Sequence, residues 1–139
     1  MALKHEFSIV DKSYRGYEIF ENMETILISD DIILYIKDSL EWINTIWNGN
    51  SINKGINYYG YSIIENKQIF KLIKIIEAWK CLFSLATEDF YLTGCFCIHD
   101  ESYEKLFLKK NKLLIELESL IFLCKKAIKK DKNILHRGI

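Results

Sequence analysis

The feature that most constrains this chain is a run of apolar residues spaced by threes and fours through residues 66–86. Ile69, Leu72, Ile73, Ile76, Trp79, Leu82, Phe83 and Ala86 fall on one helical face, while Lys67, Lys71, Lys74, Glu77, Lys80 and Ser84 step down the other. So wide an apolar stripe has to be buried, and the flanking segments offer partners. YYGYSIIE (58–65) and FYLTGCFCI (90–98) are rich in aromatic and β-branched residues, which suit strands. Alternation puts Tyr59, Tyr61 and Ile63 on one face of the first and Tyr58, Gly60, Ser62 and Ile64 on the other. In the second, Phe90, Leu92, Gly94, Phe96 and Ile98 share a face, opposite Tyr91, Thr93, Cys95, Cys97 and His99. Asn66 is the expected N-cap, and Gly60 marks a bulge or a close backbone approach.

The remaining chain is read from this unit outward. HEFSIV (5–10) alternates as a strand with Phe7 and Ile9 on one face, and residues 12–16 read as a turn. Residues 17–20 and 25–28 suit strand or irregular structure equally, so pattern alone does not arrange the first 28 residues. Ser29, Asp30 and Asp31 predict a helix start, by capping and by complementing the helix dipole. Ile32, Ile33, Ile36, Leu40, Ile43 and Trp47 continue that helix to Asn48-Gly49-Asn50, where Gly49 suits a left-handed cap, with a loop over 51–57. His99–Ser102 has hairpin-loop composition, and YEKLFL (103–108) returns as an antiparallel strand. A last helix, capped by Asn111, buries Leu113, Leu114, Leu117, Leu120, Ile121, Cys124, Ala127 and Ile128 and ends in lysines that suit its dipole; NILHRGI follows as a short tail. The expected fold is a single α+β domain over 1–139, an antiparallel or mixed sheet of three to six strands packed by about three amphipathic helices.

Composition excludes several classes. Half of the 139 residues are apolar, which excludes disorder, and no apolar run reaches the roughly 20 residues of a membrane span. MALKHEFSIVDK carries early charges and no uninterrupted apolar stretch, so no signal peptide and a cytoplasmic location are expected. Cys81, Cys95, Cys97 and Cys124 sit within apolar stretches, the pattern of packed, reduced thiols. Cys95, Cys97 and His99 share a strand face, but same-face neighbours lie roughly 6.5–7 Å apart, too far for a compact zinc tetrahedron without a turn. No metal site is expected. The histidines His5, His99 and His136 form no recognisable pairing with a nucleophile, and the six glycines never cluster into a phosphate loop. Neither a catalytic residue nor a cofactor is therefore predicted.

Net charge is zero but unevenly spread. Glu18, Glu21, Glu24, Asp30, Asp31, Asp38 and Glu41 face only Lys37 within residues 18–41, whereas residues 105–137 hold ten basic groups against Glu116, Glu118 and Asp131. The acidic stretch is interleaved with Tyr17, Phe20, Tyr35 and Trp42, so charge could steer a basic partner and aromatics anchor it. Glu21, Glu24, Asp30, Asp31, Asp38 and Glu41 are the candidate partner-binding residues; the competing reading is an ordinary solvated face. Lys67, Lys71, Lys74 and the C-terminal lysines define the alternative, a small nucleic-acid-associated regulator, which the zero net charge disfavours.

The succession YGYSIIE, AWKCLFSLA, EDFYLTGCF, YEKLFLKKNKLLIELESLIFLCKKAI and ILHRGI resembles small bacterial immunity proteins of polymorphic toxin and contact-dependent growth inhibition systems. The likeness covers residues 58–139 and includes no catalytic signature. It implies a non-enzymatic protein that neutralises a cognate toxin domain by covering its active site or substrate surface, without identifying the toxin; the acidic, aromatic-bearing stretch makes a basic nuclease the expected one. No nucleic-acid or membrane partner is expected, and a homodimer through spare strand edges is compatible with the reading. It carries over no individual residue role, because such families share none by motif.

Overall fold

A computed structural model describes residues 3–16 and 24–139. Among the described residues the chain forms a six-stranded antiparallel sheet, a separate two-stranded sheet and three helices, an α+β fold as expected. In chain order these are β1 (Lys4–Val10), β2 (Thr25–Ser29), α1 (Asp30–Leu40), β3 (Asn44–Trp47), β4 (Ser51–Lys54), β5 (Tyr61–Ile64), α2 (Asn66–Ser84), β6 (Asp89–Cys97), β7 (Ser102–Lys109), α3 (Lys110–Lys129) and β8 (Asn133–Arg137). The large sheet runs β2-β1-β8-β5-β3-β4. The strand–helix–strand unit of the sequence is thus split: β5 lies inside the large sheet, and among the described residues β6 pairs only with β7.

The pairing register defines two faces. Phe7, His136 and Ser62 lie side by side across β1, β8 and β5, as do Ile9, Ile134 and Ile64. This face meets α1, α2 and α3 in the main core, with Ile69, Ile76, Leu117, Leu120 and Cys124 at its centre. The opposite face carries a smaller cluster, Val10, Ile63 and Leu135, closed over by Tyr14. All three helices therefore serve one side of the sheet.

Several expectations are corrected. The first helix stops at Leu40 and not at Trp47. Ile43 turns into the core, and Asn44–Trp47 and Ser51–Lys54 form a hairpin about Asn48 and Gly49, both at positive φ. Asn-Gly between Thr-Ile-Trp and Ser-Ile is a hairpin signal that competes with a helix stop, and the β-branched flanks favour the strand. The 51–57 loop accordingly contains β4. Residues 58–60 form a turn ahead of β5, so that strand is half its expected length. NILHRGI is no tail: β8 occupies the middle of the large sheet.

The turn that delivers β8 explains why it was illegible. The amide of Lys132 donates to the Ala127 carbonyl at 2.9 Å and that of Asp131 to the Ile128 carbonyl at 3.0 Å, with Asp131 at φ 55°. This is a Schellman ending, with aspartate in the left-handed position that glycine usually occupies. The expected caps are also replaced. Ser29, Asn66 and Asn111 make no side-chain cap to their helices; instead the Asn133 carboxamide oxygen accepts from the first amide of α2 at 2.9 Å. Asn66 turns its side-chain amide to the Lys132 carbonyl at 2.8 Å, and Asn111 donates to Glu88.

Candidate interaction surface

α1 is the element on which the acidic residues of the sequence converge. Ile32, Ile33, Ile36 and Leu40 bury one side. Spacing of four and then three residues brings Asp31, Tyr35 and Asp38 to the other, and the turn after the helix adds Glu41 and Trp42. Tyr35 is 51% exposed and Trp42 64% exposed, while Asp38 and Glu41 are exposed and have no ion pair among the described residues. Two rings and two uncompensated carboxylates therefore share one end of this helix. Lys37, the single base of the acidic stretch, lies 5.8 Å from the centre of the Tyr58 ring and forms no ion pair among the described residues.

The other candidate residues have separate placements. Glu24 pairs with Lys126 of α3 at 2.5 Å, at the opposite end of β2 from α1. Glu21 lies outside the described residues. Asp31 lines a groove of about 320 Å³ with Phe107, Lys109 and Lys112; burial, then the neighbouring charges of Asp30 and Glu104, raise its carboxyl above the usual range. Asp30 is a structural anchor. It accepts from the Tyr58 phenol and from His5 Nε2 at 3.0 Å, and burial followed by that Asp30 contact pushes the phenol upward.

Asp30 ends a buried polar seam that the sequence reading did not anticipate. His5 Nδ1 lies 2.9 Å from His136 Nε2, and His136 Nδ1 lies 3.4 Å from Ser62 Oγ. His5, His136 and Ser62 are completely buried. Hydrogen bonding sets the tautomers. The carboxylate only accepts, so His5 donates from Nε2; its Nδ1 then accepts from His136 Nε2–H, leaving His136 Nδ1 to accept the Ser62 hydroxyl. Every partner is satisfied, with no free nucleophile: this arrangement orders the fold and does not open a reaction site. Burial, with His5 as the lesser cause, pushes His136 down to about 3. The signal was available, since in ILHR the alternation that buries Ile134 also sends His136 inward.

The hairpin corrects the predicted strand faces. Its register pairs Tyr91 with Phe107 and Thr93 with Lys105, then shifts, so that Phe96 pairs with Tyr103. One extra residue at the Gly94–Cys95 bulge reverses the parity of β6. Phe96 thereby joins the outer face, giving one tilted and one edge-on ring pair with centroids 5.5 and 5.1 Å apart, all four rings at least half exposed. Phe90, Leu92, Leu106 and Leu108 point to the core. β6 ends at Cys97, so His99 lies in the turn and outside the common face expected with Cys95 and Cys97. Cys81 and Cys95 are exposed and Cys97 half-buried, so of the four free thiols only Cys124 is packed away as expected, burial pushing it up to about 12.

The lysine rows are partly engaged, with Lys71, Lys74, Lys129 and Lys130 outside any ion pair among the described residues. Lys80 pairs with Glu118, Lys125 lies 3.8 Å from Glu77, and Lys67 lies 3.8 Å from Glu65. Lysine contact lowers the Glu118 carboxyl. Carboxylates interleave the basic groups along the α2–α3 surface, which weakens the case for a continuous phosphate track. Among the described residues no helix is long and apolar enough to cross a membrane, and no group of three or more metal-ligating side chains gathers. No protein-family model, curated protein or solved structure matches the chain.

Proposed function

We propose that this chain is an immunity protein: a non-enzymatic cytoplasmic inhibitor that binds a basic toxin domain, with a nuclease as the favoured kind, through the outer face of α1. The observation that carries the proposal is the grouping of exposed Tyr35 and Trp42 with the unpaired carboxylates of Asp38 and Glu41. Exposed Trp and Tyr supply most of the anchoring energy at such interfaces, and carboxylates speed encounter with a cation-lined cleft. The resemblance of residues 58–139 to immunity proteins supports the same reading. Within it Asp38 and Glu41 are contacts, Asp31 borders them, Asp30 holds the helix in place, and Glu24 stands apart.

The test is purification with the variable C-terminal domain of a secreted toxin encoded beside the gene. A one-to-one complex that loses affinity as salt rises is expected. Asp38→Lys with Glu41→Lys should lower affinity at least tenfold, mainly through a slower association rate. Absence of any complex, or a complex indifferent to both substitutions and salt, would overturn the proposal.

A further inference from the structure

The buried seam does more than satisfy polar groups, because its hydrogen bonds count protons. In the neutral arrangement donors run one way, from the Ser62 hydroxyl through His136 and His5 to Asp30. A first added proton on His5 Nδ1 requires His136 to accept at Nε2. His136 then carries its own proton on Nδ1, facing Ser62 Oγ, which also accepts the Asn57 amide at 2.5 Å. The two bonds from His5 through His136 to Ser62 have reversed direction while His5 still donates to Asp30, and the Ser62 hydroxyl proton has given up His136 as its acceptor. A second proton leaves N–H facing N–H across 2.9 Å, with two cations stacked 5.1 Å apart between ring centres. No rotation within the seam satisfies that state.

The seam also ties the first turn of α1 to three strands of the large sheet. His5 belongs to β1, His136 to β8, Ser62 to β5 and Asp30 to the first turn of α1, with Tyr58 bonded to the same Asp30 oxygen as His5. Other charged or titratable groups around it are Asp31 and Tyr59, which act on Tyr58, and Lys37 over the Tyr58 ring. Glu6 and Arg137, next in sequence to the histidines, belong to the opposite sheet face and lie 3.7 Å apart. Among the described residues Asp30 is therefore the one anion in direct contact with the histidine pair.

We infer that the His5–His136 seam is a proton-operated latch on α1, closed with no proton or one and opened by the second. Opening separates the α1 amino end from β1 and with it disorders the acidic-aromatic face, so acid regulates partner binding. The latch stands on seam geometry alone; its link to binding rests on the function proposed above.

Imidazole ¹⁵N spectra of the intact protein, recorded with amide exchange across a descending pH series, test it. The expected result is uptake of one proton by the pair with the His136 tautomer changing from Nε2–H to Nδ1–H. Protection of the α1 amides should persist through that step and fall at least tenfold only with the second. Two histidine protonations with α1 protection retained, or uptake without a tautomer change, would overturn the latch. His5→Asn, which removes the facing cation, should uncouple α1 exchange from histidine titration; unchanged coupling would also count against it. If the spectra behave as expected while toxin-domain affinity ignores the second step, the latch stands and the binding face is misassigned.

Discussion

The two sheets use similar residues to opposite ends. In the large sheet, β1, β8 and β5 pair on both edges, and their apolar side chains close against helices on one side and Tyr14 on the other. In the hairpin each strand has one partner; its inner face reaches the core while Tyr91, Phe96, Tyr103 and Phe107 lie in the open. Aromatic content therefore does not report burial here. Strand position does, because a central strand leaves side chains no exit, whereas a projecting ribbon needs one covered face only along its base.

Substitutions can break or sharpen that contrast. The largest effect is expected from Leu117→Ala, which empties a completely buried position facing the large sheet and should cost about 3 kcal/mol in urea unfolding. Gly138→Ala comes next: a Cβ there would sit 2.0 Å from the Tyr58 carbonyl oxygen, so backbone must shift, at about 2 kcal/mol. Calorimetry of that variant should show a lowered Tm.

Acid supplies the third. His136 is held down to about 3 in the fold, against an ordinary value of 6.5, so below 6.5 the unfolded chain binds the proton that the folded chain refuses. Its contribution is whole above pH 6.5 and is lost as pH falls toward 3. Stability should fall with pH through that window, and His136→Asn should flatten the fall if that variant folds. The smallest effect belongs to the hairpin: Phe96→Ala with Tyr103→Ala should change stability by under about 1 kcal/mol, the scale of one exposed ring pair. A larger loss would mean that the ribbon is part of the folding core.

What could be read from sequence divides along the same line. α2 and α3 were plain because a 3.6-residue apolar period persists over five turns, and local pattern suffices for that. β3, β4 and β8 were hidden because each is only four or five residues long, too short for alternation to outweigh its surroundings. The β6 faces were misassigned because a bulge changes parity without changing composition. At the candidate surface, the acidic stretch was legible as charge interleaved with aromatics, and the spacing of α1 groups Asp31, Tyr35 and Asp38 within it. Periodicity could not show Glu24 meeting Lys126, 102 positions away, or His5 meeting His136, 131 positions away. Those contacts are made by topology.

The most direct measurement titrates the purified partner domain into two paired variants by calorimetry. One carries Trp42→Ala with Asp38→Lys on the α1 face, the other Phe96→Ala with Tyr103→Ala on the hairpin. Loss of an exposed Trp anchor alone should cost about 2 kcal/mol of binding, close to thirtyfold, so the α1 variant should fall further than that while the hairpin variant stays within about threefold. A hairpin variant that abolishes binding beside an unaffected α1 variant would contradict the assignment and move the partner to the aromatic ribbon.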